Sequence, residues 1–103
     1  MDLIKLFDLT DETFREQFRK TPLWRSRRRG ILRNAAIVLG NQKDLKSVPA
    51  LVRGLQDPEP LVRGAAAWAL RQFADRSAQQ AIDARLKIET DSQVLAELKG
   101  EHL

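Results

Sequence analysis

No cysteine occurs in this 103-residue sequence, which excludes disulfides, thiolate-held zinc and cysteine-ligated iron–sulfur clusters for the polypeptide. Tyrosine is absent too, and the one histidine, His102, stands next to last, where a frayed and solvated side chain is expected. A nucleophile–base pair would have to combine Ser or Thr with Lys or a carboxylate, and no motif places such a pair, so no catalytic residue is assigned. The few glycines make no phosphate loop, and the neighbouring carboxylates Asp57 and Glu59 are explained by helix capping. Nothing between Met1 and Thr10 has the basic flank and apolar run of a secretory signal, and no stretch approaches the ~20 apolar residues of a membrane span. The expectation is a cytoplasmic protein, not an enzyme by itself, with no cofactor of its own and no membrane partner.

What is present is a helical composition. Hydrophobic residues make up 43% of the chain, many of them Ala and Leu, and charged residues 31%. The length suits one domain with a narrow core. The net charge of +4 is modest but lopsided. Eight of the eighteen basic residues lie between Arg15 and Arg33 with Glu16 as the single acid, while the other ten are outnumbered by thirteen acids. A basic patch, not a uniformly basic surface, is what needs explaining.

The sequence repeats itself. Leu32-Arg33-Asn34-Ala35-Ala36 lies thirty residues before Val62-Arg63-Gly64-Ala65-Ala66, and Asp44, Ala50-Leu51 and Leu55 recur thirty-one residues later as Asp75, Ala81-Ile82 and Leu86. Each repeat reads as two helices. Leu32, Ala35, Ala36 and Leu39 have the spacing of one helical face, and Gly40-Asn41 after them suits a helix stop in the left-handed conformation. Val48, Leu51, Val52 and Leu55 form the second stripe, with Pro49 in its first turn. Asp57-Pro58-Glu59-Pro60 opens the next pair, and Asp91-Ser92 caps a last helix ending at Gly100. Upstream, Thr10-Asp11-Glu12-Thr13 resembles a helix start, with Phe14 and Phe18 four apart. The expected organisation is a leading helix over 10–21, a first repeat over 22–56, a second over 57–89 and a half repeat over 90–103. The expected fold is an all-α superhelix of about two and a half helix pairs plus one N-terminal helix.

The run Val62-Arg63-Gly64-Ala65-Ala66-Ala67-Trp68-Ala69-Leu70 resembles short HEAT-like repeats, which serve many binding proteins and scaffolds. Thr21-Pro22-Leu23-Trp24-Arg25-Ser26-Arg27-Arg28-Arg29-Gly30-Ile31-Leu32-Arg33-Asn34 and its continuation through Leu39-Gly40-Asn41 are similar to the entry into the C-terminal HEAT-like domain of the epoxyqueuosine reductase family. That resemblance implies a setting in queuosine biosynthesis on tRNA, in which the whole enzyme uses cobalamin and iron–sulfur clusters and the C-terminal repeats help hold the tRNA. The cluster cysteines and the cobalamin-binding domain are not among these residues, so reductase activity does not carry over. What carries over is the basic segment Arg25, Arg27, Arg28, Arg29, Arg33 and Asn34, to which Arg63 is added as the repeat equivalent of Arg33.

On a helical wheel Arg25, Arg29 and Arg33 form a stripe beside the core face, while Arg27 points elsewhere. Guanidinium groups in such a stripe follow phosphates by forked hydrogen bonds, with counterion release favouring association. The bland alternative is a solvated face, or one paired with acids of a neighbouring domain. Arg28 falls in the apolar arc, so either the helix starts later or Arg28 meets something beyond the core. Trp24 suits packing better than base stacking, Trp68 suits the core, and Arg63 could equally pair with Asp57 or Glu59. The resulting expectation is a monomeric accessory domain that binds tRNA near the anticodon stem-loop, with a separate catalytic domain as a further partner. A HEAT-like protein–protein scaffold is the rival. The RNA reading requires that the guanidinium groups stand together on one edge and are not neutralised by internal carboxylates.

Overall fold

The computed structural model describes residues 2–8, 13, 16 and 24–101, the side chains of residues 24–26 excepted. The expected leading helix over 10–21 therefore lies outside the described residues apart from Thr13 and Glu16, both helical. Helix α1 spans Leu3–Leu6, α2 Trp24–Gln42, α3 Val48–Gly54, α4 Pro60–Leu70, α5 Arg76–Leu86 and α6 Ser92–Lys99, with a short 3-10 turn at Leu45–Ser47 before α3. No strand occurs among the described residues. The protein is an all-α superhelical repeat fold.

The repeat is visible in the caps. Asp44 accepts a hydrogen bond from the Lys46 N–H at the 3-10 turn, and Asp75, its equivalent one repeat on, accepts one from the Ala78 N–H at α5. Each carboxylate satisfies an orphan donor of the first turn. Asp91 does the same for α6, accepting from Gln93 and Val94, and Gly100 ends that helix in the left-handed region at φ 74°. Pro60 opens α4 where no backbone donor is lost.

The stripes read from the sequence form the core. Ala36, Leu39, Val48, Leu51, Leu55, Ala66, Ala69, Leu70, Ile82, Val94 and Leu98 are buried together, joining α2 to α6 in one apolar interior. The first helices of successive repeats, α2, α4 and α6, lie side by side, and α3 and α5 back them.

One local expectation is corrected. Gly40 does not stop α2, which runs on to Gln42, and the left-handed residue is Lys43 at φ 57°. Gly40 is small because α4 crosses over it: a Cβ there would lie 2.9 Å from Ala69 Cα and from Trp68 Cζ3. Residues 2–8, for which no element was read from the sequence, carry α1. Asp2 caps α1, Leu6 is buried against Leu32, Ala35 and Val62, and Phe7 packs beside Gly54.

Candidate nucleic-acid interface

Helix α2 carries the basic segment, and its wheel decides which cations reach solvent. Arg27, Arg29 and Arg33 are exposed, with Arg29 and Arg33 four residues apart on one face. Asn34 is exposed beside them, its Oδ1 accepting a hydrogen bond of 3.1 Å from Arg33 Nη1. Arg29 lies 3.9 Å from Glu59, a loose contact at a side chain 46% exposed, so solvent screens most of that attraction. Arg25 sits in the first turn of α2, and its side chain lies outside the described residues, as does that of Trp24.

Two of the expected contacts are turned inward. Arg28 is buried and forks onto Asp57 at 2.5 and 3.1 Å, which resolves its position in the apolar arc: the helix starts at Trp24, and Arg28 meets a carboxylate across the repeat junction. Asp57 also accepts from the Glu59 N–H, so it holds the turn before α4 as well. Arg63 does not extend the basic surface. Its Nε and Nη2 fork onto the Glu89 carboxylate at 2.9 and 3.0 Å, and its Nη1 donates to the Asp57 and Pro58 carbonyls. Buried guanidinium groups whose donors are spent on internal acceptors cannot also grip phosphate without breaking the repeat junction.

Glu89 was not singled out from the sequence. Its side chain is fully buried and accepts from Arg63, Arg85 and the Thr90 and Asp91 backbone N–H groups. Burial, the largest influence, pushes its carboxyl up; the bonds from Arg63, Asp91 and Arg85 and the Arg63 charge prevail and lower it from 4.5 to about 2. The repeat could have found it, since Glu89 follows Asp57 by thirty-two residues, in the equivalent inter-repeat turn.

Beside the basic edge the three first helices enclose an open groove of about 550 Å³, lined by Arg33, Leu61, Gly64, Ala65, Trp68 and Glu97 among others. Trp68, expected in the core, is half-buried: one side packs on the interior and the other faces this groove.

Residues 23–99 match the family model for HEAT repeats. The chain belongs to the HEAT-repeat family. Among curated relatives, epoxyqueuosine reductase of Listeria monocytogenes is 42% identical to this HEAT-repeat chain over 99 residues, covering 94% of the chain and 26% of the reductase. Among solved structures, the Bacillus subtilis reductase superposes with a TM-score of 0.79 at 30% identity, covering 96% of this chain and 27% of the other. A crystal structure of epoxyqueuosine reductase with an epoxyqueuosine-modified tRNA-Tyr stem loop gives 0.80 at the same identity and coverage. The chain thus resembles the HEAT-like part of these reductases and spans about a quarter of their length.

The sequence has no thiol to ligate a cluster, and among the described residues no group of three His, Asp or Glu side chains is placed to hold a metal ion. No helix among the described residues is long and apolar enough to cross a membrane.

Proposed function

We propose that this chain is a non-catalytic module that binds a tRNA stem-loop, the anticodon arm in particular, through the exposed cations of α2. The observation that carries the reading is the likeness, at a TM-score of 0.80, to a reductase crystallised with a tRNA stem loop. The local chemistry supports it. Arg29 and Arg33 share one face of α2 and can exchange solvent and loose contacts for phosphate, the fork of each guanidinium matching two phosphate oxygens, while Arg27 is exposed on another face of the helix. Asn34 adds a donor and acceptor pair next to Arg33 for a sugar or base edge. Arg28 and Arg63 take a different role: they fix the angle between repeats, and so the placement of the exposed cations. In this reading the module works as a cytoplasmic monomer, and the chemistry on the bound tRNA belongs to a separate catalytic domain.

A titration of a fluorescent anticodon stem-loop at increasing NaCl tests this. Two phosphate contacts, from Arg29 and Arg33, predict a slope of log K against log salt of roughly −1.5 to −2. The triple substitution Arg27→Glu, Arg29→Glu and Arg33→Glu is expected to flatten that slope while leaving the helical circular dichroism intact, because all three side chains are exposed. Binding that ignores salt, or an affinity unchanged by the triple substitution, refutes the proposal.

A further inference from the structure

The groove between α2, α4 and α6 is chemically unlike the basic edge beside it. Its floor is apolar and open. Leu61 is 46% exposed although it lies in the first turn of a core helix, and Trp68 turns one face to the same hollow. Gly64 leaves the hollow unfilled, since a Cβ added there would come no nearer than 3.9 Å to Glu97 Cγ. The two ends carry opposite charge: Arg33 stands on the α2 side, Glu97 and Glu101 on the α6 side. Glu97 Oε2 is a buried carboxylate oxygen with no hydrogen-bond partner. A buried acceptor without a partner costs free energy, and turning the half-buried Glu97 carboxylate outward to a cationic donor in the groove recovers it.

We infer that this groove docks an amphipathic helical segment of another polypeptide, which seats a bulky apolar side chain against Trp68 and Ala65, presents Lys or Arg to Glu97 and offers a carboxylate to Arg33. The volume suits one or two large side chains. The small residues Gly64 and Ala65 allow a helix to approach closely, and the charge polarity of the groove sets the direction in which it lies. A polyanion is disfavoured here, because its phosphates would meet Glu97 and Glu101. Arg33 is shared with the basic edge; the remainder of the groove is not.

The test titrates the full 15N-labelled chain with two synthetic Ala-rich helical peptides of about 15 residues, long enough to hold a helix. Each carries Phe and Leu four positions apart; one has Glu before them and Lys-Arg after, and the other has these charges exchanged. Saturable shifts confined to amides of the groove lining, those of Arg33, Gly64, Ala65, Trp68 and Glu97, are expected, with the matched orientation binding at least about tenfold more tightly. Glu97→Gln should narrow that difference. Gly64→Leu should abolish binding by filling the groove, and Leu61→Asp, at an exposed position, provides the same test should the first variant fail to fold. Absence of a saturable shift, equal affinity for both peptides, or binding that survives both substitutions overturns the inference. So does an unlabelled tRNA stem-loop that moves the groove amides and displaces the peptide. A stem-loop that moves only α2 amides supports separate sites, and peptide discrimination without any RNA binding upholds the groove while refuting the RNA reading.

Discussion

Glu89 illustrates how a single buried charge can govern a repeat junction. Its folded carboxyl lies at about 2, below the ordinary 4.5, so the stability it contributes is complete above the unfolded value and is lost as pH falls through the folded one. That linkage is worth about 3 kcal/mol. The urea midpoint is therefore expected to fall steeply between about pH 5 and pH 2, and Glu89→Gln should flatten that fall while lowering stability at neutral pH by roughly 3 kcal/mol, because Arg63 and Arg85 lose their shared counter-charge. A midpoint that follows the same acid profile in the variant refutes the account. Glycines give a sharper contrast. Gly40→Ala drives a methyl into Ala69 across the α2–α4 contact and should cost about 1–3 kcal/mol. Gly64→Ala meets only ordinary van der Waals neighbours inside α4 and should stabilise by about 0.5–1 kcal/mol. Chemical denaturation of the two variants side by side checks both signs.

At the level of elements, the caps decide where helices begin, and the last helix depends on its caps most. Helix α6 has eight residues and packs on α4 and α5 without a second helix of its own repeat among the described residues. Short helices gain little from propensity alone, so the two hydrogen bonds that Asp91 accepts matter. Asp91→Ala should destabilise by about 1 kcal/mol and raise amide exchange first in α6, with α2 and α4 little changed. Exchange that rises uniformly would show instead that α6 opens only with the whole domain. At the other end of the same helix, Gly100→Ala places a Cβ in the left-handed region at φ 74° and should cost about 1–2 kcal/mol, whereas the exposed Arg71 guanidinium beside it ends a flexible side chain and can swing aside. Helix α1 is held differently. Asp2 caps it, Leu6 and Phe7 anchor it by burial, and an exposed ion pair joins Asp8 to Arg53. The burial carries the anchoring, since a surface pair contributes little.

Across the whole molecule, the repeat explains both the fold and the division of the arginines. Periodicity near thirty-one residues, Ala-rich stripes and acids at recurrent turn positions specified helix pairs stacked around one interior, because amphipathic helices of matching spacing have few other ways to bury their faces. The basic segment, its uneven charge and the caps at Asp91 and Gly100 were legible for the same reason: each depends on neighbours within a turn or two. What the amino-acid order alone could not decide was which cations remain available. Arg28 and Arg29 are adjacent, yet one is buried against Asp57 and the other faces water, and Arg63, the repeat equivalent of Arg33, is consumed by a carboxylate twenty-six residues away. The groove, with its unpartnered Glu97 oxygen and the half-turned Trp68, likewise exists only when three helices from three repeats meet. Helical periodicity is a local property and survives in the linear code, whereas the pairing of a charge is settled by distances between segments that only the packed chain brings into contact.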